Sequence, residues 1–596
     1  MNTNYRVIKT EEELRKAVES LTAHQAIGLD TETTELDPYT GRLRLIQLAT
    51  PDGVVIVDLD AFSNGDRSDL RNTPSLTPLR NLLAASRPIK IAHNAKFDAK
   101  FIKHTLGTDL GGLFDTLLAS QLIGAGDIEE RHGLATVAER YLNEVVDKTE
   151  RLSNWNFELS EAQLQYAARD AAILVPLRDK LRERLLSDSL RDVAELEFNC
   201  ITVVADIELT GFYMHKDRWL EQLAIVEKRR AQLSDELQDV LAEESSQGTL
   251  FGGPQRDEIN LDSHQQLTKA LERLGINVPD STRNWKLQPL AAEYPIIGTL
   301  LEYRTVQKAL TSYGQNMIEL INPTTGRLHA DFRQIGAPTG RFSCTNPNIQ
   351  QVPHAVEYRR CFSGHPVGRK LIIADYSQIE LRILAEFSGD QGFTKAFNSG
   401  VDLHRVTAAE VFNVTVDQVT REQRDFAKRL NFGVVYGLGA QRFAMMTGAS
   451  VSEAENILRK YFATYRGLDT YLHDAANRAV RERQARTGSG RLVRFRYDEQ
   501  DRQQISMTKR NGKNTPIQGT SADILKRALR LLKDELRDTN AQIVNIIHDE
   551  IVVEADASEA EEVARRVERA MCAAGEEYLK SVPVKVETEI ADEWVK

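Results

Sequence analysis

A chain of 596 residues, 41% hydrophobic and 27% charged, has apolar material for several domains, each with its own core. The net charge of −11 argues against a protein that coats phosphate backbones with evenly spread Lys and Arg, so any basic surface has to be local. No apolar run approaches the ~20 residues of a membrane span, and Cys200, Cys344, Cys361 and Cys572 form no Cys-x-x-Cys pair, which excludes a cysteine zinc site and a disulfide framework.

The start, Met-Asn-Thr-Asn-Tyr-Arg, lacks an apolar signal core and predicts a cytosolic protein. Ala26-Ile-Gly-Leu29 reads as a short strand ending in Asp30-Thr31-Glu32, and two carboxylates two apart on a strand share one face and can share one metal. Ile89-Lys-Ile-Ala92 leads in the same way into His93-Asn-Ala-Lys-Phe-Asp98. Tyr166-Ala-Ala-Arg-Asp170 puts a phenol and a carboxylate one turn apart on a helix face. Taken singly, Asp-x-Glu is common, Asp170 reads equally as an exposed helix charge, and Tyr166 as a partly buried core aromatic.

After the stretch Glu197–211 a long charged helix runs to about Glu244, followed by Ser245-Ser-Gln-Gly-Thr-Leu-Phe-Gly-Gly-Pro254, a flexible loop by its Gly, Ser and Pro content. Leu250-Phe251 is an odd apolar pair for such a loop. Leu371-Ile-Ile-Ala374 is a buried strand that delivers Asp375-Tyr-Ser-Gln-Ile-Glu380. Arg424, Lys428, Phe432 and Tyr436 recur every fourth residue, drifting only ~40° per step on a helix, and form one stripe. Between Arg478 and Lys513 eleven basic residues face four acidic ones, which predicts a surface that tracks a duplex. Ile546-Ile547 and Ile551-Val-Val553 read as a tight hairpin with His548-Asp549-Glu550 at its turn.

A cationic and then aromatic stripe opposite a carboxylate pair is what a nucleoside triphosphate needs. Cations hold the phosphates, a ring covers sugar and base, and carboxylates carry divalent metal. Alone, Asp549 is an ordinary turn residue, Asp375 a helix cap and Arg424/Lys428 a solvated face. All three in this order favour the functional reading.

The constellation resembles the family A DNA polymerases, and Thr339-Gly-Arg-Phe-Ser-Cys-Thr-Asn-Pro-Asn-Ile-Gln-Gln-Val-Pro353 and Asn514-Thr-Pro-Ile-Gln-Gly-Thr520 extend the likeness, with Phe342 and Cys344 in place of the usual Leu and Ser. The first third resembles the DEDD proofreading exonucleases with Tyr in the third motif. The resemblance implies an α/β plus α+β multidomain chain. A ribonuclease H-like DEDD 3′→5′ exonuclease domain (1–187) precedes a right-hand polymerase domain (188–596), with thumb at about 188–325, palm at about 326–395 and 490–596, and fingers at about 396–489. The chain begins at the proofreading segment, where larger members of the family carry a 5′ nuclease first. The lack of Gly-x-x-x-x-Gly-Lys-Ser/Thr excludes a built-in helicase or ATPase.

The same resemblance implies two Mg²⁺ (or Mn²⁺) per active site. Asp30, Glu32 and Asp170 would bind one metal and Asp30 with Asp98 a second, while Tyr166 orients the attacking water. In the palm Asp375, Tyr376 and Asp549 would be metal ligands, with Glu550 in the catalytic set. Arg424, Lys428 and His404 would grip the triphosphate, and Lys428 would double as general acid for the leaving pyrophosphate. Phe432, Tyr436, Gln378 and Glu380 would complete the deoxynucleotide site, Glu380 excluding a ribose 2′-hydroxyl. Arg341, Arg510, Asn514, Gln518 and His548 would touch primer-template DNA. Gln247-Gly-Thr-Leu-Phe251 resembles the peptide by which bacterial replication proteins dock on a sliding clamp, against the alternative that Leu250 and Phe251 pack back on the thumb. The expected protein is a proofreading DNA polymerase, a monomer of a bacterial or phage-infected cytoplasm or an organelle. The alternatives are an exonuclease with an inactive polymerase half and a primer-template binding protein with vestigial sites.

Overall fold

The computed structural model describes residues 3–63, 69–127, 129–145, 153–244, 256–278 and 281–595. The clamp-like peptide at 247–251 lies outside them. Chain contacts divide the protein into a larger unit (1–211, 329–350, 365–591) and a smaller one (212–328, 351–364, 592–596).

In the larger unit a six-stranded mixed sheet runs in the order Tyr5–Ile8, Gly53–Asp58, Leu43–Thr50, Ala26–Thr33, Ile89–Ala92, Leu113–Asp115. The strand Ala26–Thr33 pairs antiparallel with Leu43–Thr50 and parallel with Ile89–Ala92. Ile27 and Leu29 are fully buried, leaving Asp30 and Glu32 on the alternate face. The pairing register slips between Glu32 and Thr33, a bulge that bends the strand just past its second carboxylate. The helix Glu161–Ser187 starts at a Ser160–Gln163 capping box and crosses this strand at close range. A Cβ on Gly28 would lie 2.4 Å from the Ala171 carbonyl oxygen, so only glycine permits the approach that brings Asp170 to Asp30.

A second sheet of the same unit is antiparallel, in the order Gln542–Ile547, Glu550–Asp556, Arg369–Tyr376, Val586–Ala591. The expected hairpin is present, with His548 in the left-handed region (φ 53°) and Asp549 as its two turn residues. Its core is shared with the helices Arg502–Glu535 and Ala560–Glu576 through Ile372, Ala374, Val553, Leu525, Leu529 and Val567. The helix Arg421–Val435 opens at a Thr420–Gln423 capping box and buries Ala427, Leu430, Asn431, Val434 and Val435, so Arg424, Lys428 and Phe432 occupy the other face. The helix Arg191–Thr210, read from the sequence as the approach to the thumb, belongs to this larger unit. Val203, Val204 and Ile207 join the core of the second sheet, while Val193, Phe198, Ile201 and Ala205 join the two cores of the six-stranded sheet. Only Arg191, Asp192, Glu195 and Asn199 are exposed along this helix, so its wide apolar face serves several cores at once.

In the smaller unit the helices Lys216–Leu241 and Pro295–Tyr313 pack through Leu233, Leu237, Leu241, Ile297 and Leu300. The strand Phe212–Tyr213 pairs with Arg327–Leu328, beside the rings of Phe362 and Trp594.

Candidate active sites

Asp30 and Glu32 come from the bulged strand, Asp98 from the first turn of the helix Ala95–Leu106, and Asp170 from the helix Glu161–Ser187. Burial, then repulsion from Glu32, Asp98 and Asp170, holds the Asp30 carboxyl far above the usual carboxylate range. Glu32 is raised in the same way by burial, then by Asp170 and Asp98. Asp98 is pushed up to about 7 by burial, against the 2.6 Å hydrogen bond that Thr31 Oγ1 donates to it. Burial and the adjacent Asp170 raise the Tyr166 phenol, which stays neutral and hydrogen-bonds that carboxylate. Tyr166 and Asp170 line a cleft of about 830 Å³ together with His93, Asn94, Phe332 and Asn346. Sequence reasoning missed Asp115, whose carboxylate accepts the Ala95 N–H at 2.7 Å and so orients the helix that presents Asp98. Its position at the end of the strand Leu113–Asp115, capping the next helix, was the available signal.

In the second sheet Asp375, next to last in its strand, lies opposite Glu550, and the Tyr376 N–H donates to the Asp549 carbonyl at 3.4 Å, tying the two acidic segments together. The Asp549 carboxyl is pushed up to about 7 by burial and then by Asp375 and Glu380. Tyr376, expected among the metal ligands, buries its phenol, which donates to the Met571 carbonyl at 2.7 Å, and so offers its main-chain oxygen to a cation. Among the described residues no three Asp, Glu, His or Cys side chains are arranged to hold a metal ion as they stand. The donor chemistry of both sites nonetheless fits a hard divalent cation. Each is an all-oxygen set in which burial, and then neighbouring carboxylates, raise at least one carboxyl, a penalty that a dication relieves.

Glu380 is buried and ion-paired with Arg341, and burial and then its charge push up the phenol of Tyr436, the residue that caps the helix Arg421–Val435. The segment 375–380 and the end of that helix therefore meet at Glu380. Gln378, at φ 57°, begins the helix that carries it. Lys428 is exposed and Phe432 half-buried, while Arg424 donates from Nε to Asp402 at 2.6 Å. His404 is 1% exposed, burial lowers its pKa to about 4, and its Nδ1 lies 3.0 Å from Asn431 Nδ2. A neutral imidazole cannot add positive charge to a phosphate grip, although it can offer an N–H.

Arg341, Asn514 and Gln518 line one cleft of about 970 Å³ with Thr339 and Thr515. Arg510 is exposed and sits against Gly437, and His548 is exposed on its turn. Of the eleven cations in the basic stretch 478–513 only Arg491 is buried, tied to Glu197 and Asp523, and Arg486 is half-buried against the Gly490 and Asp188 carbonyls. Arg481, Arg483, Arg494 and Arg496 pair with Glu482, Glu499, Asp188 and Asp127 but remain exposed. Arg478, Arg502, Lys509 and Arg510 stay exposed.

Residues 227–596 match the family model described as DNA polymerase family A, and residues 5–186 match that described as 3′-5′ exonuclease. The chain is 31% identical to DNA polymerase I of Aquifex aeolicus, with both chains covered completely. It is 31% identical to DNA polymerase I of Chloroflexus aurantiacus and 30% to that of Pseudomonas aeruginosa, covering 99% and 96% of this chain but 63% of each relative. Among solved structures it is similar to the POL domain of Pol1 from M. smegmatis in complex with DNA primer-template and dNTP, with a TM-score of 0.84, 25% identity and 99% of each chain covered. Among the described residues no helix is long and apolar enough to cross a membrane.

Proposed function

We propose, starting from the fact that this chain belongs to the family A DNA polymerases and carries a 3′→5′ exonuclease domain, that it extends primer 3′ ends at Asp375/Asp549 and removes mispaired ends at Asp30/Glu32/Asp98/Asp170. The observation that carries this reading is the doubling of one device: two separate groups of carboxylates, each with members pushed up by burial and then by neighbouring carboxylates. In the palm, Asp375, Asp549 and the Tyr376 carbonyl would hold divalent cations, Mg²⁺ or Mn²⁺. When bound, such ions acidify the primer hydroxyl and neutralise the phosphates. Lys428 and Arg424 bind the β- and γ-phosphates, Arg424 by exchanging Asp402 for phosphate. Lys428 is placed to protonate the leaving pyrophosphate, Phe432 covers the sugar and base, and Glu380 crowds the 2′ position. Arg341, Arg510, Asn514, Gln518 and His548 hold the primer-template, and minor-groove acceptors suit this task because they vary little with sequence. In the exonuclease site Tyr166, kept neutral, orients the attacking water.

The direct test is primer extension with magnesium and all four deoxynucleoside triphosphates. Template-directed extension that stops in Asp549→Ala is expected, and a chain that binds primer-template without extending it overturns the reading. The protein would act as a cytoplasmic monomer, with a sliding clamp docking at residues 247–251. Clamp addition should lengthen products of the unmodified chain and not of Leu250→Ala/Phe251→Ala; equal lengthening of both removes the docking site.

A further inference from the structure

Outside both sites lies a group of buried charges that neither uses. Glu197 on the helix Arg191–Thr210, Arg491 beside the strand Leu492–Arg494, and Asp523 and Lys526 on the helix Arg502–Glu535 are each at most 2% exposed. Arg491 Nη2 donates to Glu197 Oε1 at 2.5 Å and to Asp523 Oδ1 at 2.7 Å, and Lys526 donates to Glu197. Thr487 and Ser489 donate to the second oxygen of Asp523, and Gln334 Nε2 donates to Glu197 Oε2 at 2.9 Å. Two positive and two negative charges thus close on themselves. Taking four charges out of water is costly, and apolar residues of the same size would stabilise the core at least as well. The arrangement is better explained by what it holds.

It holds Gly340. Lys526 Nζ donates to the Gly340 carbonyl at 2.7 Å, and a Cβ on Gly340 would lie 2.4 Å from Arg491 Nε, so this glycine, at φ +84°, is gripped on its carbonyl and on its α-carbon. The next residue is Arg341. Thr487, bound to Asp523, also backs Gly519, where a Cβ would lie 2.2 Å from its methyl and 3.1 Å from the Thr339 carbonyl. Gly519 follows Gln518. One cluster therefore braces the backbone beside both Arg341 and Gln518, which share a cleft.

We propose that Glu197, Arg491, Asp523 and Lys526 are positioning residues for the primer end: by gripping Gly340 they fix the direction of Arg341 and its register with Gln518, and so set how tightly the polymerase site holds primer-template. The inference rests on the reading that Arg341 and Gln518 touch primer-template DNA.

The test uses the full chain and a primer-template duplex, with Kd measured in chelator. Glu197→Gln/Lys526→Met removes one charge of each sign and leaves the Arg491–Asp523 pair intact, while Gly340→Ala perturbs the grip with all four charges in place. Each should weaken primer-template binding about tenfold or more, as Arg341→Ala should, because misdirected contacts are lost contacts. Combined with Arg341→Ala, neither should add a further loss. Degradation of single-stranded DNA should stay within about twofold, since the cluster touches none of Asp30, Glu32, Asp98 and Asp170. An unchanged Kd, full additivity with Arg341→Ala, or loss of single-strand degradation in both variants overturns the inference, the last by making the cluster merely structural. If Arg341→Ala itself leaves Kd unchanged, the assignment of Arg341 to DNA fails and takes the inference with it. If only the cluster variants leave it unchanged, the assignment stands and the inference alone falls.

Discussion

Replacing Glu380 by alanine should let ribonucleotides in. Glu380 is 7% exposed and lies in the first turn of the helix Ile379–Ser388, so its backbone has no room to shift. Its carboxylate is ion-paired with Arg341 and flanked by the Tyr436 phenol. A buried side chain confined on two sides cannot swing aside for an added hydroxyl. Forcing such a group into filled space costs about 1–3 kcal/mol, which is about 5–150-fold in rate ratio. Glu380→Ala should therefore relax deoxy-over-ribo selectivity by about 10–100-fold, read as the ratio of kcat/KM values for single-nucleotide incorporation. Glu380→Gln keeps the bulk and loses the charge, so selectivity should change only a few-fold while primer binding suffers through Arg341. Arg341→Ala, which removes one of the two confining groups, should fall between the two. An unchanged ratio in Glu380→Ala removes the residue from this role. Equal loss in Glu380→Gln means that charge, not bulk, is what discriminates.

Asp375→Ala or Asp549→Ala should abolish synthesis and spare degradation of single strands, and Asp30→Ala with Glu32→Ala should do the reverse; either change killing both activities in a folded protein contradicts two separate sites. Phe432→Tyr should strongly increase chain termination by dideoxynucleotides, because the added hydroxyl replaces a contact of the missing 3′-hydroxyl; efficient termination by the unmodified enzyme contradicts this. Asp98 and Asp549, pushed up to about 7, favour the folded state in their protonated forms. Their contribution is present below about pH 4, the unfolded value, and is lost as pH rises through about 7. In chelator the thermal midpoint should accordingly fall between pH 5 and pH 8, and added magnesium should restore more at pH 8 than at pH 5. A flat profile, or equal rescue at both pH values, refutes the burial argument.

The chemistry-bearing groups were legible in the sequence because each is announced locally. Asp30 and Glu32 follow from the period of a strand, Tyr166 and Asp170 from the spacing of one helical turn, Asp549 from a two-residue hairpin, and Arg424, Lys428 and Phe432 from a stripe in steps of four. The structure places each on the predicted element. What the tertiary structure alone decided is which charges are available. Arg491 counted as part of a basic surface until its partner Glu197 appeared 294 residues away, and that His404 is buried and neutral follows only from the elements packed around it. Tyr376 turned its phenol into the core, and Glu380 proved to be paired with Arg341 and flanked by Tyr436. Periodicity tells which face of its own element a side chain occupies. Whether that face meets water, an opposite charge or the core depends on a second element distant in the chain, and no local pattern encodes that meeting.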